Sequence, residues 1–280
     1  MDTVNLGRIF VINLFILIVI SANNISFSQD FDANNTSSFM DAIAKINAAP
    51  EASHKIFITG DISLETPISE AVNLELIGDT TSSEHYNFVL NGNTFTYREN
   101  KISKISDLNI VSNTSGSGFI VNQQDLTIDN ANFTSSAASN TQSSLNNIGG
   151  NLHISESNFT GNKKGMDGGA ISNQGNLETV STDFISNQGR NGGALYLSSG
   201  TANIKEADIL NNYASTYGGA AYVNNSTLTI TDSTVKDNSA MVSGGALYIE
   251  ANSNVVIDNT DFDHNTVLQQ SGGGAIYNKG

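Results

Sequence analysis

The sequence predicts an all-β fold, a right-handed parallel β-helix of about 26 residues per coil closed at its N-terminal end by a short helix. Three observations predict it. Gly-Gly-Ala recurs at 168–170, 192–194, 218–220, 244–246 and 273–275, so that successive first glycines are 24, 26, 26 and 29 residues apart, within the range of solenoid repeats. An apolar-x-x-Asn element alternates with it: Phe159–Asn162, Phe184–Asn187, Ile209–Asn212, Val235–Asn238 and Phe262–Asn265. Between the two lie apolar fragments of three to six residues, too short for amphipathic helices and punctuated by Gly, Asn and Ser.

The chain begins with a segment unlike the rest. Arg8 and the amino terminus give a thin positive region, Ile9 to Ile20 is apolar apart from Asn13, and Ser26-Phe27-Ser28 offers small residues where a signal peptidase reads. Residues 1–28 are therefore expected to be a secretory signal peptide. An apolar run of twelve is short against the ~20 residues that a membrane-spanning helix needs.

Residues 29–100 form an N-terminal cap and first irregular coils. Phe39 to Ile46 has helical spacing, with Ser37 or Ser38 as N-cap and Ala48-Ala49-Pro50 as its end. An open β-helix end exposes strand edges and core, and an amphipathic helix here would cover both. Lys55–Thr59, Leu74–Ile77 and Phe88–Leu90 read as the first strands.

Residues 101–280 are the repeats proper, carrying the GGA and FxxN motifs. Stepping back by 26 residues from Gly168 meets degenerate tripeptides at Gln142–Ser144 and Gly116–Gly118. Each repeat is one coil, whose strands pair with equivalents above and below at ~4.8 Å and whose inward side chains stack in columns. Three inward columns are expected. The first joins Leu195 and Leu197, Ala221 and Val223, and Leu247 and Ile249, with Phe119 and Val121 in a worn coil. The second holds Ile128, Ile154, Ile204, Ile230 and Ile257, and the third Phe133, Phe159, Phe184, Ile209, Val235 and Phe262. Removing one such Phe is expected to cost ~3–5 kcal/mol through lost burial and a residual cavity. The glycines serve a corner that needs positive φ or close approach of coils, and the Asn of Phe-x-x-Asn turns the other corner in αL geometry with its amide bonded to the next coil. The sequence stops at Gly280 as a new coil begins, so a truncated C-terminus is expected.

Composition narrows the function. With 12 Lys and Arg against 27 Asp and Glu the net charge is −15, which repels phosphate backbones, and nucleic acid is an unsuitable partner. No cysteine is present, so packing alone must hold an exported fold. The histidines, His54, His85, His153 and His264, show no ligand spacing, and the residue before each Gly pair varies (Asp167, Asn191, Tyr217, Ser243), against a calcium ladder. No metal, cofactor or catalytic residue is therefore assigned. Two residues beyond each Ala stand Tyr196, Tyr222, Tyr248 and Tyr277, with Ser172 at the first site. Alternation places these tyrosines outside, where they form either a platform for a glycan or protein partner or a column that stabilises strand pairing.

The alternation of Gly168–Ile171, Gly192–Leu195, Gly244–Leu247 and Gly273–Ile276 with Phe159–Asn162, Phe184–Asn187 and Phe262–Asn265, behind a signal peptide, resembles the polymorphic outer membrane protein repeat family of chlamydial type. The resemblance is clear over 152–280 and reaches weakly to about residue 100. It implies the β-helical passenger of an autotransporter, displayed at the cell outer membrane or released outside the cell, with an adhesin's role toward a host or neighbouring cell surface. It also implies a C-terminal translocator barrel, which is missing from this sequence and would have to follow Gly280. The alternative is a polysaccharide lyase or glycoside hydrolase on the same scaffold, and a third reading is a structural surface stalk. Lyase chemistry is opposed by the wide separation of Arg98 and Arg190, the only arginines after residue 28. Asn259-Thr260-Asp261 is similar to a galacturonase signature, with Asp258, Asp263 and His264 nearby, but Asp261 falls at a position that recurs as Asn158, Asp183, Asp208 and Thr234.

Overall fold

A computed structural model describes residues 29–48, 53–70, 73–80, 85–97, 102–112, 119–135, 143–163, 165–269 and 272–280. The expected signal segment and Arg98 lie outside the described residues. The described residues form a right-handed parallel β-solenoid of about nine turns with one short helix. Every strand pairs in parallel with the equivalent strand of the next coil, which builds sheets of ten, nine and nine strands. The first sheet runs from Gln29–Ala33 to Asn254–Asp258, the second from Ile62–Ser63 to Asp261–Asp263, and the third from Ile68–Glu70 to Ile276–Asn278. A fourth sheet of four short strands, Gln188–Asn191, Tyr213–Tyr217, Ser239–Ala240 and Thr266–Val267, lies between the Asn corner and Gly-Gly-Ala. Its polar, glycine-containing sequence carries no apolar alternation, so nothing in the residue pattern marks it as strand.

The expected columns form. In the second sheet Phe133, Phe159, Phe184, Ile209, Val235 and Phe262 are in register, and the first three rings stack at 4.5 and 5.4 Å between centroids. In the first sheet Ile128, Ile154, Ile204, Ile230 and Ile257 align, with Thr179 filling the place between Ile154 and Ile204. In the third sheet Leu195, Ala221 and Leu247 continue upstream through Ile171 and Leu145 to Ile120, not Phe119. The step from Leu145 back to Ile120 is one residue shorter than the step of 26 from Ile171, and one residue moves a strand's inward set to the opposite face. Asn122, Asn147 and Asn173 then occupy the inward places that Leu197 and Val223 hold later, all of them buried.

Helix α1 (Thr36–Asn47) packs Phe39, Ala42, Ile43 and Ile46 over the open end of the core, Phe39 meeting Phe88 edge-on at 5.3 Å. Its N-cap is Asn35, whose side chain accepts from the Ser38 N–H while the Ser38 hydroxyl accepts from the Asn35 N–H. Neither Ser37 nor Ser38 is the cap itself, because Ser38 completes the capping box at the third helical position.

The corners divide their work more finely than expected. At Gly-Gly-Ala the first glycine supplies positive φ (Gly192, +66°) and the second permits contact: a Cβ on Gly193 would lie 2.1 Å from the Gly219 carbonyl oxygen. At the other corner the left-handed residue is the one before the asparagine, as at Ser186, Asn211, Asp237 and His264. The asparagine is instead inward and buried. Asn187 Nδ2 donates to Phe159 O at 2.9 Å and to Asn212 Oδ1 at 3.0 Å, and Asn212 repeats this with Phe184 O and Asn238 Oδ1 at 2.8 and 2.9 Å. Successive asparagines are 25, 25, 26 and 27 residues apart from Asn162 to Asn265. Length variation between coils therefore collects mainly ahead of the glycines.

Candidate interaction face

On the outer side of the third sheet Tyr196, Tyr222, Tyr248 and Tyr277 occupy one register position in four successive coils. Parallel in-register pairing fixes this: with Leu195 and Leu197 inward, the residue between must point outward. Ring centroids are 5.4, 5.3 and 4.9 Å apart, with interplanar angles of 10°, 10° and 21°. Offset stacking of this kind contributes about 0.5–1.5 kcal/mol per pair beyond area burial.

The column is less open than alternation alone suggests. Tyr217, at the end of a fourth-sheet strand, brings its ring to 4.5 Å from Tyr248, which is only 6% exposed, while Tyr196, Tyr222 and Tyr277 stay partly exposed. Sequence reasoning missed Tyr217 because it precedes Gly218 and belongs to the strand that carries no apolar pattern.

Charged pairs flank the column. The Tyr222 hydroxyl donates to Glu250 Oε1 at 2.8 Å, and Lys279 Nζ reaches Glu250 Oε2 at 2.8 Å. The Lys279 hydrogen bond holds the Glu250 carboxyl below the usual range, while burial and then the bond to Glu250 push the Tyr222 phenol well above it. At the other end Arg190 grips Asp167 with two bonds of 2.9 and 2.8 Å, and burial, followed by Asp167, raises the Tyr196 phenol. Beyond Tyr196 the same register position holds Ser172, Asn146 and Val121. There the surface falls into a cavity of about 190 Å³ lined by Ser143, Asn146, Met166, Asp167, Ser172, Gln174 and Tyr196.

Where carboxylates share a hollow, they do so at positions that repeat from coil to coil. Asp183, Glu206, Asp208 and Asp232 line a shallow hollow, yet Glu206 and Asp232 sit at a corner repeated along the solenoid, and Asp183 and Asp208 at the next strand's start. Glu206, Asp208 and Asp232 are exposed to solvent rather than enclosed by apolar side chains. Asp263 beside Asp261 is held by Lys236 at 3.1 Å and His264 at 2.7 Å, both exposed surface pairs. His153 pairs with Glu178 at 2.9 Å, and among the described residues no group of three or more His, Asp or Glu is placed to hold a metal ion.

The family model for the Chlamydia polymorphic membrane protein repeat matches residues 259–279. That stretch contains Phe262–Asn265 and Gly273–Ile276, and it pairs in register with the coil before it through Val235 to Phe262 and Tyr248 to Tyr277. No curated protein and no solved structure matches the chain significantly.

Proposed function

From the repeat match we propose that the chain is the β-helical passenger of an exported, surface-displayed protein of autotransporter type, non-catalytic and adhesive in role. One observation carries the reading. The matched repeat at 259–279 is a coil of a solenoid whose earlier coils present the same two motifs at the same corners, so the likeness extends along the coil stack in structure although the match covers one repeat. A stack of coils with a net charge of −15 repels nucleic acid and suits presentation of side-chain ladders to another surface. The contact face is proposed to be the tyrosine column, since phenol rings supply large amphipathic area at low entropic cost.

Two measurements test this. Antibody raised against the chain should label intact source cells, and loss of that label after mild external proteolysis is expected; a purely internal signal defeats the proposal. Beads coated with the chain should attach to target cells, and Tyr222→Ser with Tyr248→Ser should weaken attachment severalfold while circular dichroism still reports the β-solenoid. Unchanged attachment with an intact fold would remove the tyrosine column from the proposal and favour a stalk.

A further inference from the structure

The third sheet changes character on both sides at one step, between Ile171–Asn173 and Leu195–Leu197. Inside, Asn122, Asn147 and Asn173 stack amide to amide, with Nδ2 to Oδ1 distances of 2.8 and 2.6 Å, and then give way to Leu197 and Val223. Outside, the tyrosine column stops at Tyr196. One face of that ring is covered by Tyr222 at 5.4 Å, and the ring also borders the 190 Å³ cavity beside Ser172, where a fifth ring would stand if the column continued.

We infer that this cavity is a subsite for one pyranose unit of a neutral glycan, stacked on Tyr196 in the place left by Ser172 and hydrogen-bonded by the polar side chains around it. Its size is suitable, since a buried cavity of about 150 Å³ takes a benzene ring. Its walls are those of a hydroxylated ring's partner. Asn146 and Gln174 carry amides, Ser143 and Ser172 hydroxyls, and Asp167 a carboxylate, against Tyr196 and Met166 as the apolar surfaces. An aromatic side chain from a protein would stack equally well but would leave the Ser172 hydroxyl and the Gln174 amide facing carbon. Charge selects a neutral sugar: Asp167 is matched by Arg190, and the net charge of −15 opposes an acidic one. The walls are also fixed before any ligand arrives. Asp167 accepts from the Asn191 N–H at 3.1 Å as well as from Arg190, and the Ser143 hydroxyl donates to the Asp167 carbonyl at 3.0 Å. The inference deepens the contact-face reading and rests on it in taking the outer side of the third sheet as open to ligands.

The test uses the full chain with the methyl glycosides of glucose, galactose, mannose and N-acetylglucosamine, read by saturation-transfer NMR and tyrosine fluorescence. At least one glycoside is expected to bind in the millimolar range, and Tyr196→Ala should weaken it about tenfold or more. Ser172→Tyr should do the same by extending the column into the cavity. It is expected to leave the thermal transition intact, because tyrosine already occupies this position in the four following coils. The subsite is overturned if none of the four binds at about 20 mM, if Ser172→Tyr leaves binding unchanged in a folded protein, or if N-acetyltyrosine amide binds in preference to every glycoside. Loss of cell attachment in the Tyr222 and Tyr248 variant without any glycoside binding would retire the subsite and keep the contact face. Glycoside binding with attachment unaffected in that variant would do the reverse.

Discussion

Thr179 is fully buried between Ile154 and Ile204, and its hydroxyl has no hydrogen-bond partner among the described residues. An unsatisfied buried hydroxyl costs about 1–3 kcal/mol, while valine has nearly the same shape without it. Thr179→Val is therefore expected to raise the unfolding free energy by about 1–2 kcal/mol in urea titration, and a loss of stability would show that the hydroxyl is bonded. The position was hard to read from sequence for the same reason: a polar residue interrupts the isoleucine column, and only strand register shows that the column continues through it. The tyrosine column was legible in direction but not in depth. Alternation placed Tyr248 outside, whereas its near-complete burial depends on Tyr217 from a strand with no apolar pattern. That burial has a consequence in alkali. The Tyr196, Tyr222 and Tyr248 phenols are all raised above the usual value of 10, with desolvation the largest cause in each. A folded value above the unfolded one stabilises the neutral form, so the contribution is complete below pH 10 and is lost as pH rises through the folded values. Phenolate absorbance should therefore lag behind that of free tyrosine and rise together with loss of the β signal. Glu250→Gln should bring the Tyr222 titration down, since the Glu250 charge and hydrogen bond both hold it up.

At the scale of the element, the two corners show which part of a repeat is readable. Both motifs were assigned correctly as corner pieces, because glycine and asparagine have few other reasons to recur at this spacing. What spacing alone could not tell is how each corner divides positive φ, burial and close approach among neighbouring residues. The Phe-x-x-Asn asparagine looked like the left-handed residue, yet the residue before it has positive φ and the asparagine is a buried link between coils. The glycines differ just as sharply. A Cβ on Gly219 would lie 2.1 Å from the Gly245 carbonyl oxygen, a backbone atom held by its own coil, so Gly219→Ala must push two coils apart. Gly161 has positive φ, +66°, but nothing lies within 4 Å of its Cβ position. Gly161→Ala should cost only the left-handed strain, about 1–2 kcal/mol. Gly219→Ala should cost well over twice as much or prevent folding, as measured by denaturant midpoint and soluble yield. Similar costs for the two would mean that coil spacing yields more easily than the hydrogen-bonded ladder allows.

On the scale of the whole molecule, the repeat architecture makes stability a sum of coil interfaces, each coil covered only by its neighbours. The two ends of the chain are not equivalent. At one, α1 covers the core and Phe39 and Ile46 are fully buried. At the other, Ile257 and Ile276 are each 38% exposed and Val256 46%, although the first two occupy register positions whose equivalents in earlier coils, Ile230 and Leu247, are fully buried. In a polypeptide of these 280 residues the last coil is paired on one side only and loses roughly half of its interface, so opening of that polypeptide should begin there and move inward coil by coil. Hydrogen exchange is therefore expected to grade along the axis. Amides of Asn254–Asp258 should exchange fastest, those of Thr227–Thr231 more slowly, and those of Thr201–Lys205 near the global limit, while the strands under α1 stay protected. The gradient should not depend on protein concentration. If Asn254–Asp258 is as protected as Thr201–Lys205, and protection falls on dilution, the exposed edge is paired with a second copy of the chain, as an unblocked parallel edge favours. Adding further coils of the same register would then abolish both the self-pairing and the gradient at this position. The property that lets one repeat template the next thus also sets the order in which the coils of this polypeptide open.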